Sequence, residues 1–136
     1  VATYNWVSGN ILVAQPCYHM PTKRLYVCMF NNVTNGIGSV RIIDMDPASP
    51  TYLQLVGTIT NVYARWAIIQ GNKMYCATSP TGSNHMVSII RLSNNTVTHV
   101  SMPSSSNVTF VYHPVANAIY VCSINGVITI IPHSND

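Results

Sequence analysis

The chain has 136 residues and a net charge of +3, and only 7% of its residues are charged, against about 25% in an average globular protein. Glu is absent and the acids are Asp44, Asp46 and Asp136, which argues against long exposed helices and against a hydrolase built on paired carboxylates. The basic residues are scattered and no apolar run approaches the ~20 residues of a membrane-spanning helix, so we expect neither nucleic-acid binding nor membrane insertion.

Short runs rich in Val, Ile, Thr and Tyr, separated by Asn, Ser, Gly and Pro, predict an all-β fold. The strand-forming segments, in chain order, are VATY from Val1, ILVA from Ile11, the hairpin CYHMPTKRLYVC from Cys17, SVRIID from Ser39, TYLQLVGTI from Thr51, the hairpin AIIQGNKMYCAT from Ala67, MVSIIRL from Met86, TVTHVSM from Thr96, the hairpin VYHPVANAIYVC from Val111, and GVITIIP from Gly126.

The three hairpins are copies of one unit. CYHMPTKRLYVCMF aligns with VYHPVANAIYVCSI without a gap, and the tyrosines Tyr26, Tyr75 and Tyr120 recur 49 and 45 residues apart. Periods of 40 to 50 residues are typical of propeller blades. The strand order reads d, abcd, abcd, abc, so we expect a single segment over residues 1–136 with three four-stranded blades at about 6–59, 62–102, and 107–132 plus 1–4.

The stretches RLYV, GSVRIIDM and AIYVCSINGVITII resemble the YVTN-type β-propeller repeat, whose blades carry a Leu-Tyr-Val strand and then a Val-x-Val-Ile-Asp strand. The second copy departs from that pattern, with Met74-Tyr75-Cys76 and no Asp after SIIRL. The resemblance implies the propeller architecture, which hosts enzymes, lectins and scaffolds alike and so implies no single function.

Three blades do not close a ring, since propellers have about four to eight. One solution is a homodimer in which two chains form a six-bladed ring and the Val1 strand of each completes the last blade of its partner. The other is that the remaining blades belong to a larger propeller of which this chain is a part.

One face of such a fold, formed by the blade connections and the loops between second and third strands, offers aromatic, amide and hydroxyl groups that suit a glycan or a polar peptide. The alternative is that these residues pack between blades and serve turns. The candidate ligand-binding residues are Trp6, Asn61, Tyr63, Arg65, Trp66, Asn84 and His85.

The cysteines and the glycosylation sequons bear on where the protein resides. Cys17 and Cys28 are the best candidates for a disulfide, across one hairpin, whereas Cys28, Cys76 and Cys122 also fit the role of small buried hydrophobes. Sequons at three asparagines predict a secreted glycoprotein at an extracellular, cell or virion surface. The candidate glycosylation sites are Asn32, Asn94 and Asn107.

Three functions fit these patterns. The first is a non-catalytic, lectin-like surface module that binds glycan or protein and needs no cofactor. The second is a propeller enzyme or metal-binding protein of the lactonase or hydrolase kind, with His85 near a central ion, and the shortage of acids argues against it. The third is a structural subunit of a filament or virion.

His19 and His113 occupy the same repeat position and are expected to serve the hairpin turn.

Overall fold

The computed structural model describes residues 11–31, 37–77, 85–103 and 108–134. These residues form three antiparallel sheets of four, four and three strands, which confirms the all-β prediction. The strands are β1 Ile11–His19, β2 Arg24–Asn31, β3 Ile37–Asp44 and β4 Leu55–Tyr63 in sheet A; β5 Trp66–Gln70, β6 Lys73–Ala77, β7 Met86–Arg91 and β8 Thr96–Ser101 in sheet B; and β9 Val108–His113, β10 Ala118–Ser123 and β11 Ile128–Pro132 in sheet C. Within the described ranges, no helix is long and apolar enough to span a membrane.

Each sheet is a meander, with strands that are consecutive in the chain lying next to one another. The expected strand from Thr51 begins instead at Leu55. The intervening residues form a turn, in which Leu53 has φ of +62° and donates its N–H to the Asp44 carbonyl at 2.7 Å. The expected strand VATY at Val1 lies outside the described residues, and the expected boundary at residue 59 falls inside β4.

One register recurs in all three sheets. In each, the marker tyrosine on the second strand lies opposite a residue of the first strand and a residue of the third strand. These rows are Cys17–Tyr26–Ile42, Ile68–Tyr75–Ile89 and Val111–Tyr120–Ile130. The alignment of the hairpins in the sequence is therefore also an alignment of backbone pairing.

A shared backbone hydrogen bond supports the same equivalence. The acceptor in each sheet is the backbone carbonyl of the residue three positions before the marker tyrosine. The donor is the backbone N–H of a residue just past the third strand, three positions after the residue that pairs with the tyrosine. The bonds are Met45 to Lys23 at 2.8 Å, Leu92 to Asn72 at 2.9 Å and His133 to Asn117 at 2.9 Å. Met45, Leu92 and His133 are thus equivalent positions of the repeat.

The sheets pack face to face through two apolar layers. We call the face that carries the marker tyrosine the Tyr face and the opposite one the back face. Because side chains alternate along a strand, Tyr26 and Tyr75 lie on the Tyr faces of sheets A and B, while Met74 and Ile119 lie on the back faces of B and C. One core cluster joins Tyr26 to Met74, and a second joins Tyr75 to Ile119. The Tyr face of sheet A thus packs on the back face of sheet B, and the Tyr face of sheet B packs on the back face of sheet C.

The first strands of the sheets lie side by side, with β5 between β1 and β9. The Gln15 N–H donates to the Arg65 carbonyl at 3.2 Å, and the Gln15 side-chain oxygen accepts the N–H of Ala67 at 3.1 Å. These bonds tie β1 of sheet A to the start of β5 of sheet B.

Asp44 at the end of β3 and Asp46 just beyond it stabilise the turn that follows the strand. Asp44 accepts the Asp46 N–H at 2.9 Å and the Thr51 hydroxyl at 2.5 Å. Asp46 forms an ion pair with Lys23 at 3.1 Å. Both carboxylates therefore stabilise local structure rather than facing one another as a catalytic pair.

Candidate functional site

The candidate site lies at the junction between sheets A and B, where β4 ends and β5 begins. A bulge shapes the end of β4: Thr60 pairs with Ser39 and Val62 with Gly38, so Asn61, with φ of +57°, is an extra residue. Gly38 lies so close to β2 that a Cβ atom would approach the neighbouring carbonyl oxygen to 2.1 Å. A residue with a side chain at Gly38 would therefore push β3 away from β2 and disturb the bulge.

Arg65 is the central residue of the junction. Its guanidinium carbon lies 4.4 Å from the ring centroid of Trp66 and 5.3 Å from that of Phe30. Its backbone N–H donates to the Ala77 carbonyl at 3.0 Å, which holds the residue against sheet B. Such cation–π contacts hold the plane of the guanidinium while leaving the N–H groups at its edge able to donate.

The charge of Arg65 has no counter-ion in the described ranges, where the ion pair that forms is between Lys23 and Asp46. A guanidinium presents N–H donors in a planar fork that matches the two oxygens of a carboxylate. Arg65 is thus a cation whose aromatic neighbours orient it and whose charge is available to an incoming anion.

A cleft of about 300 Å³ opens beside this side chain, and a second of about 160 Å³ lies next to it. Gln15 and Trp66 line both clefts, so they form the wall between them. The larger cleft combines apolar side chains with one amide, one indole and one guanidinium. Its lining residues are Val13, Ala14, Gln15, Phe30, Arg65 and Trp66.

Of the candidate ligand residues, the structure brings Arg65 and Trp66 together in this cleft. Asn61 is exposed but does not line it. Tyr63 is buried, and its ring packs edge-on against His99 with centroids 5.5 Å apart. His85 is half-buried just before β7, where its carbonyl accepts the Met102 N–H at 2.7 Å.

Two further candidates, Trp6 and Asn84, lie outside the described residues. Sequence reasoning missed four residues of the cleft, Val13, Ala14, Gln15 and Phe30. Gln15 is the polar residue in the otherwise apolar run ILVAQP, which is a signal that could have been used. Phe30 carries no such signal, because an aromatic residue at a strand end is ordinarily core.

A serine and a histidine in sheet B resemble a nucleophile and its base. Ser88 Oγ lies 3.1 Å from His99 Nδ1. Ser88 is fully buried, however, and its Oγ accepts the N–H of Tyr63 at 2.8 Å. A substrate cannot reach this hydroxyl in the folded chain, and the pair instead ties the end of β4 to β7 and β8.

The histidines at the repeated hairpin position are the last residues of β1 and β9, and their side chains bond to the connection that follows each strand. His19 Nδ1 lies 2.8 Å from the Thr22 hydroxyl, and His113 Nδ1 accepts the Ala116 N–H at 3.1 Å. In the part of the chain that the structure describes, no three His, Cys, Asp or Glu side chains come together in a way that could hold a metal ion.

All four cysteines are free thiols. Cys17 lies opposite Tyr26, which places Cys28 diagonally across the hairpin rather than directly opposite Cys17. Burial raises the pKa of the Cys17 thiol to about 11 and the pKa values of Cys28 and Cys76 well above their ordinary range. These three side chains belong to the apolar layer between sheets A and B, where cysteine acts as a small hydrophobe.

One sequon can be placed. Asn94 is exposed in the turn between β7 and β8, and its side-chain oxygen accepts the Thr96 N–H at 3.2 Å and the Thr96 hydroxyl at 2.8 Å. The sequons at Asn32 and Asn107 begin outside the described residues.

No protein-family model, no curated protein and no solved structure matches the chain.

Proposed function

We propose that the chain is a non-catalytic β-propeller module that binds a glycan in the Arg65–Trp66 cleft, at the surface of a cell or virion or in the extracellular space. The observation that carries the proposal is the guanidinium of Arg65, oriented by Phe30 and Trp66 at the cleft and facing no carboxylate within the described ranges.

The chemistry of the cleft favours a sugar that carries a carboxylate. An aromatic side chain offers the flat apolar surface on which the C–H face of a sugar ring packs. The fork of N–H donors on Arg65 suits a carboxylate in a bidentate contact. A volume of about 300 Å³ lies at the lower end of the range for small-molecule sites, roughly 300–1,000 Å³, and suits one sugar unit with its substituent.

The proposed blade arrangement rests on the way the sheets pack. Three meanders with the same register stack Tyr face on back face, and their first strands lie side by side. Propeller blades pack in this way, with the first strand of each blade nearest the axis. The YVTN-type resemblance points to the same architecture, and the cleft then lies at the inner end of two adjacent blades.

A panel of neutral and carboxylate-bearing oligosaccharides tests the proposed function. We expect measurable binding of the carboxylate-bearing sugars, a loss of at least tenfold in affinity for all bound sugars in Trp66→Ala, and a selective loss for the carboxylated ones in Arg65→Gln. Arg24→Gln is the matched control, because it removes the same charge from a residue that does not line the cleft.

Arg65→Gln keeps the experiment informative if Trp66→Ala is unstable, since Trp66 also packs in the layer between sheets B and C. The proposal fails if no sugar on the panel binds the folded wild-type chain. It fails equally if Arg65→Gln binds carboxylate-bearing sugars as tightly as the wild type and the Arg24→Gln control do.

A further inference from the structure

A further cleft lies on the Tyr face of sheet B, beside the end of sheet C. Its volume is about 430 Å³, and strands β6, β7 and β8 line it together with Pro132 and Ser134 of sheet C. The strand residues that line it from sheet B lie in the row of Tyr75 or two positions away, so their side chains share the Tyr face. None of the residues that line the two clefts beside Arg65 lines this one, so it is a separate site.

Two cations line this cleft from one row of the sheet. Lys73 on β6 pairs with Arg91 on β7, and Arg91 pairs with Thr96 on β8. Side chains directly opposite one another on antiparallel strands have Cβ atoms about 4.5–5.5 Å apart, and like charges in such a pair destabilise the sheet. An anion that contacts both side chains offsets this repulsion.

The equivalent pairs of the other two sheets are different. Two positions before the marker tyrosine, sheet A pairs Arg24 with Asp44, and sheet C pairs Ala118 with Pro132. The repeat therefore places a carboxylate opposite the cation in sheet A. In sheet B the position of that carboxylate is taken by Arg91, so the pair supplies two positive charges and no negative one.

Neutral hydrogen-bond donors lie beside the two cations. The Ser134 hydroxyl accepts a hydrogen bond from the Lys73 ammonium, which leaves the hydroxyl proton of Ser134 able to donate. The side-chain oxygen of Asn94 accepts two bonds from Thr96, which leaves the amide nitrogen of Asn94 as a donor. Thr98 adds a hydroxyl from β8, and the described residues that line the cleft include no carboxylate to repel an anion.

We propose that this cleft, which we call the Lys73–Arg91 cleft, binds a phosphate or sulfate group. Arg91 supplies a planar fork of N–H donors and Lys73 a compact positive charge, and both are groups that bind the oxygens of such anions. The volume of about 430 Å³ lies within the range of small-molecule sites, roughly 300–1,000 Å³. The cleft therefore has room for the organic part of an ester beside Tyr75, Ile89 and Pro132. This inference does not depend on the proposed glycan site.

Amide NMR of the full chain, titrated with inorganic phosphate and separately with sulfate, tests the site. The chain is produced without glycosylation, because Asn94 is a candidate glycosylation site and lines the cleft. We expect the amide signals of Thr96, Thr98 and Ser134 to shift and to saturate, and chloride at the same ionic strength to leave them in place.

Substitutions in the charged row then identify the residues that bind the anion. Lys73→Gln and Arg91→Gln should each weaken the binding of phosphate by roughly tenfold or more, because each removes a charged donor. Arg24→Gln is the matched control, since Arg24 occupies the position of Lys73 in sheet A and does not line the cleft, and it should bind as the wild type does. Arg91→Asp places a carboxylate opposite Lys73, as in sheet A, and should abolish binding.

The melting temperature gives a second measurement, because a ligand that binds the native state stabilises it. Phosphate should raise the melting temperature of the wild type and of Arg24→Gln, and should leave that of Arg91→Asp unchanged. Phenyl phosphate and phenyl sulfate distinguish an ester from the free ion. Tighter binding of the esters than of the inorganic anions would assign the cleft to an ester, and equal binding would assign it to the free ion, and both results support the oxyanion site.

Two results would overturn the proposal. The first is the absence of saturable shifts at Thr96, Thr98 and Ser134 in both the wild type and Asp136→Asn, a variant that removes the acid two positions after Ser134 and with it any competition from that carboxylate. The second is binding by Arg91→Asp that is as tight as in Arg24→Gln. Neither result bears on the Arg65–Trp66 cleft, and a failure of sugar binding there would leave these shifts unaffected.

Discussion

The Tyr75 hydroxyl and His133 Nδ1 lie 2.8 Å apart and form a buried hydrogen bond between sheets B and C. At the interface between sheets A and B, Tyr26 belongs to the same core cluster as Leu92, and Leu92 occupies the repeat position of His133. The Tyr26 hydroxyl is buried and has no hydrogen-bond partner in the described ranges. Of these two equivalent tyrosines, Tyr75 therefore has a hydrogen-bond partner for its hydroxyl, and Tyr26 has none in the described ranges.

This difference predicts opposite outcomes for two matched substitutions. Tyr75→Phe removes a buried hydrogen bond and should lower the free energy of unfolding by about 1 kcal/mol. Tyr26→Phe removes a hydroxyl that is buried without a partner and should leave stability unchanged or raise it. Urea unfolding monitored by circular dichroism measures both, and a greater loss for Tyr26→Phe than for Tyr75→Phe would contradict the assignment of partners.

A second prediction introduces the missing partner. Leu92→His places an imidazole at the position of His133 and should allow a bond to the Tyr26 hydroxyl. The substitution also removes apolar volume, so the single variant is expected to be less stable than the wild type. A double-mutant cycle with Tyr26→Phe isolates the new bond, and we expect a favourable coupling of about 0.5–1.5 kcal/mol. A coupling of zero would show that the two positions do not meet.

The turn after β3 should respond to acid. Hydrogen bonds from the Ser49 and Thr51 hydroxyls and from the Asp46 N–H lower the pKa of Asp44 from 3.8 to about 2. A lowered carboxyl pKa stabilises the fold above pH 3.8, and this contribution is lost as the pH falls through about 2. Asp44→Asn should therefore be less stable than the wild type at neutral pH, and the difference should shrink between pH 4 and pH 2.

Thr51→Val provides the control for that titration. It removes one of the hydroxyl donors, so the pKa of Asp44, followed by NMR of its carboxyl carbon, should rise towards 3.8. A carboxyl that titrates near 3.8 in the wild type would contradict the hydrogen-bond geometry of the turn.

The thiols give a further prediction. Because burial raises the pKa of Cys17 to about 11 and that of Cys28 above its ordinary range, both should react slowly with a thiol reagent at pH 8 in the native chain. In denaturant without reductant, all four cysteines should be titrated. Recovery of only two thiols would indicate a disulfide, and peptide mapping would then show whether Cys17 and Cys28 form it.

The fold could be predicted from the sequence to the extent that local patterns determine it. The spacing of Tyr26, Tyr75 and Tyr120 and the turns between the strands were sufficient for strand order and hairpin pairing. The start of β4 was predicted too early, because Leu53 adopts a left-handed conformation that its side chain does not suggest.

The cleft was harder to predict, because it depends on which side chains meet across two sheets. Trp66 and Arg65 stand out as an aromatic and a basic residue in a connection. The contact of Arg65 with Phe30 joins residues 35 positions apart in the sequence, and no local pattern indicates it. Tyr63 was predicted as a ligand residue because, like Trp66, it is an aromatic residue near a connection between blades. In the structure it lies in the interior beside His99.

The meander order within each sheet has a consequence for how the chain folds. In the described ranges, every ladder of strand pairing joins strands that are neighbours in the chain. Each sheet can therefore form over short loops at a small entropic cost, as in other repeat proteins. Sheet B is the one sheet of the described stack that is covered on both faces by its neighbours. Its amide protons should therefore be the last to exchange with deuterated solvent, which makes the middle of the sequence the most slowly opening part of the molecule.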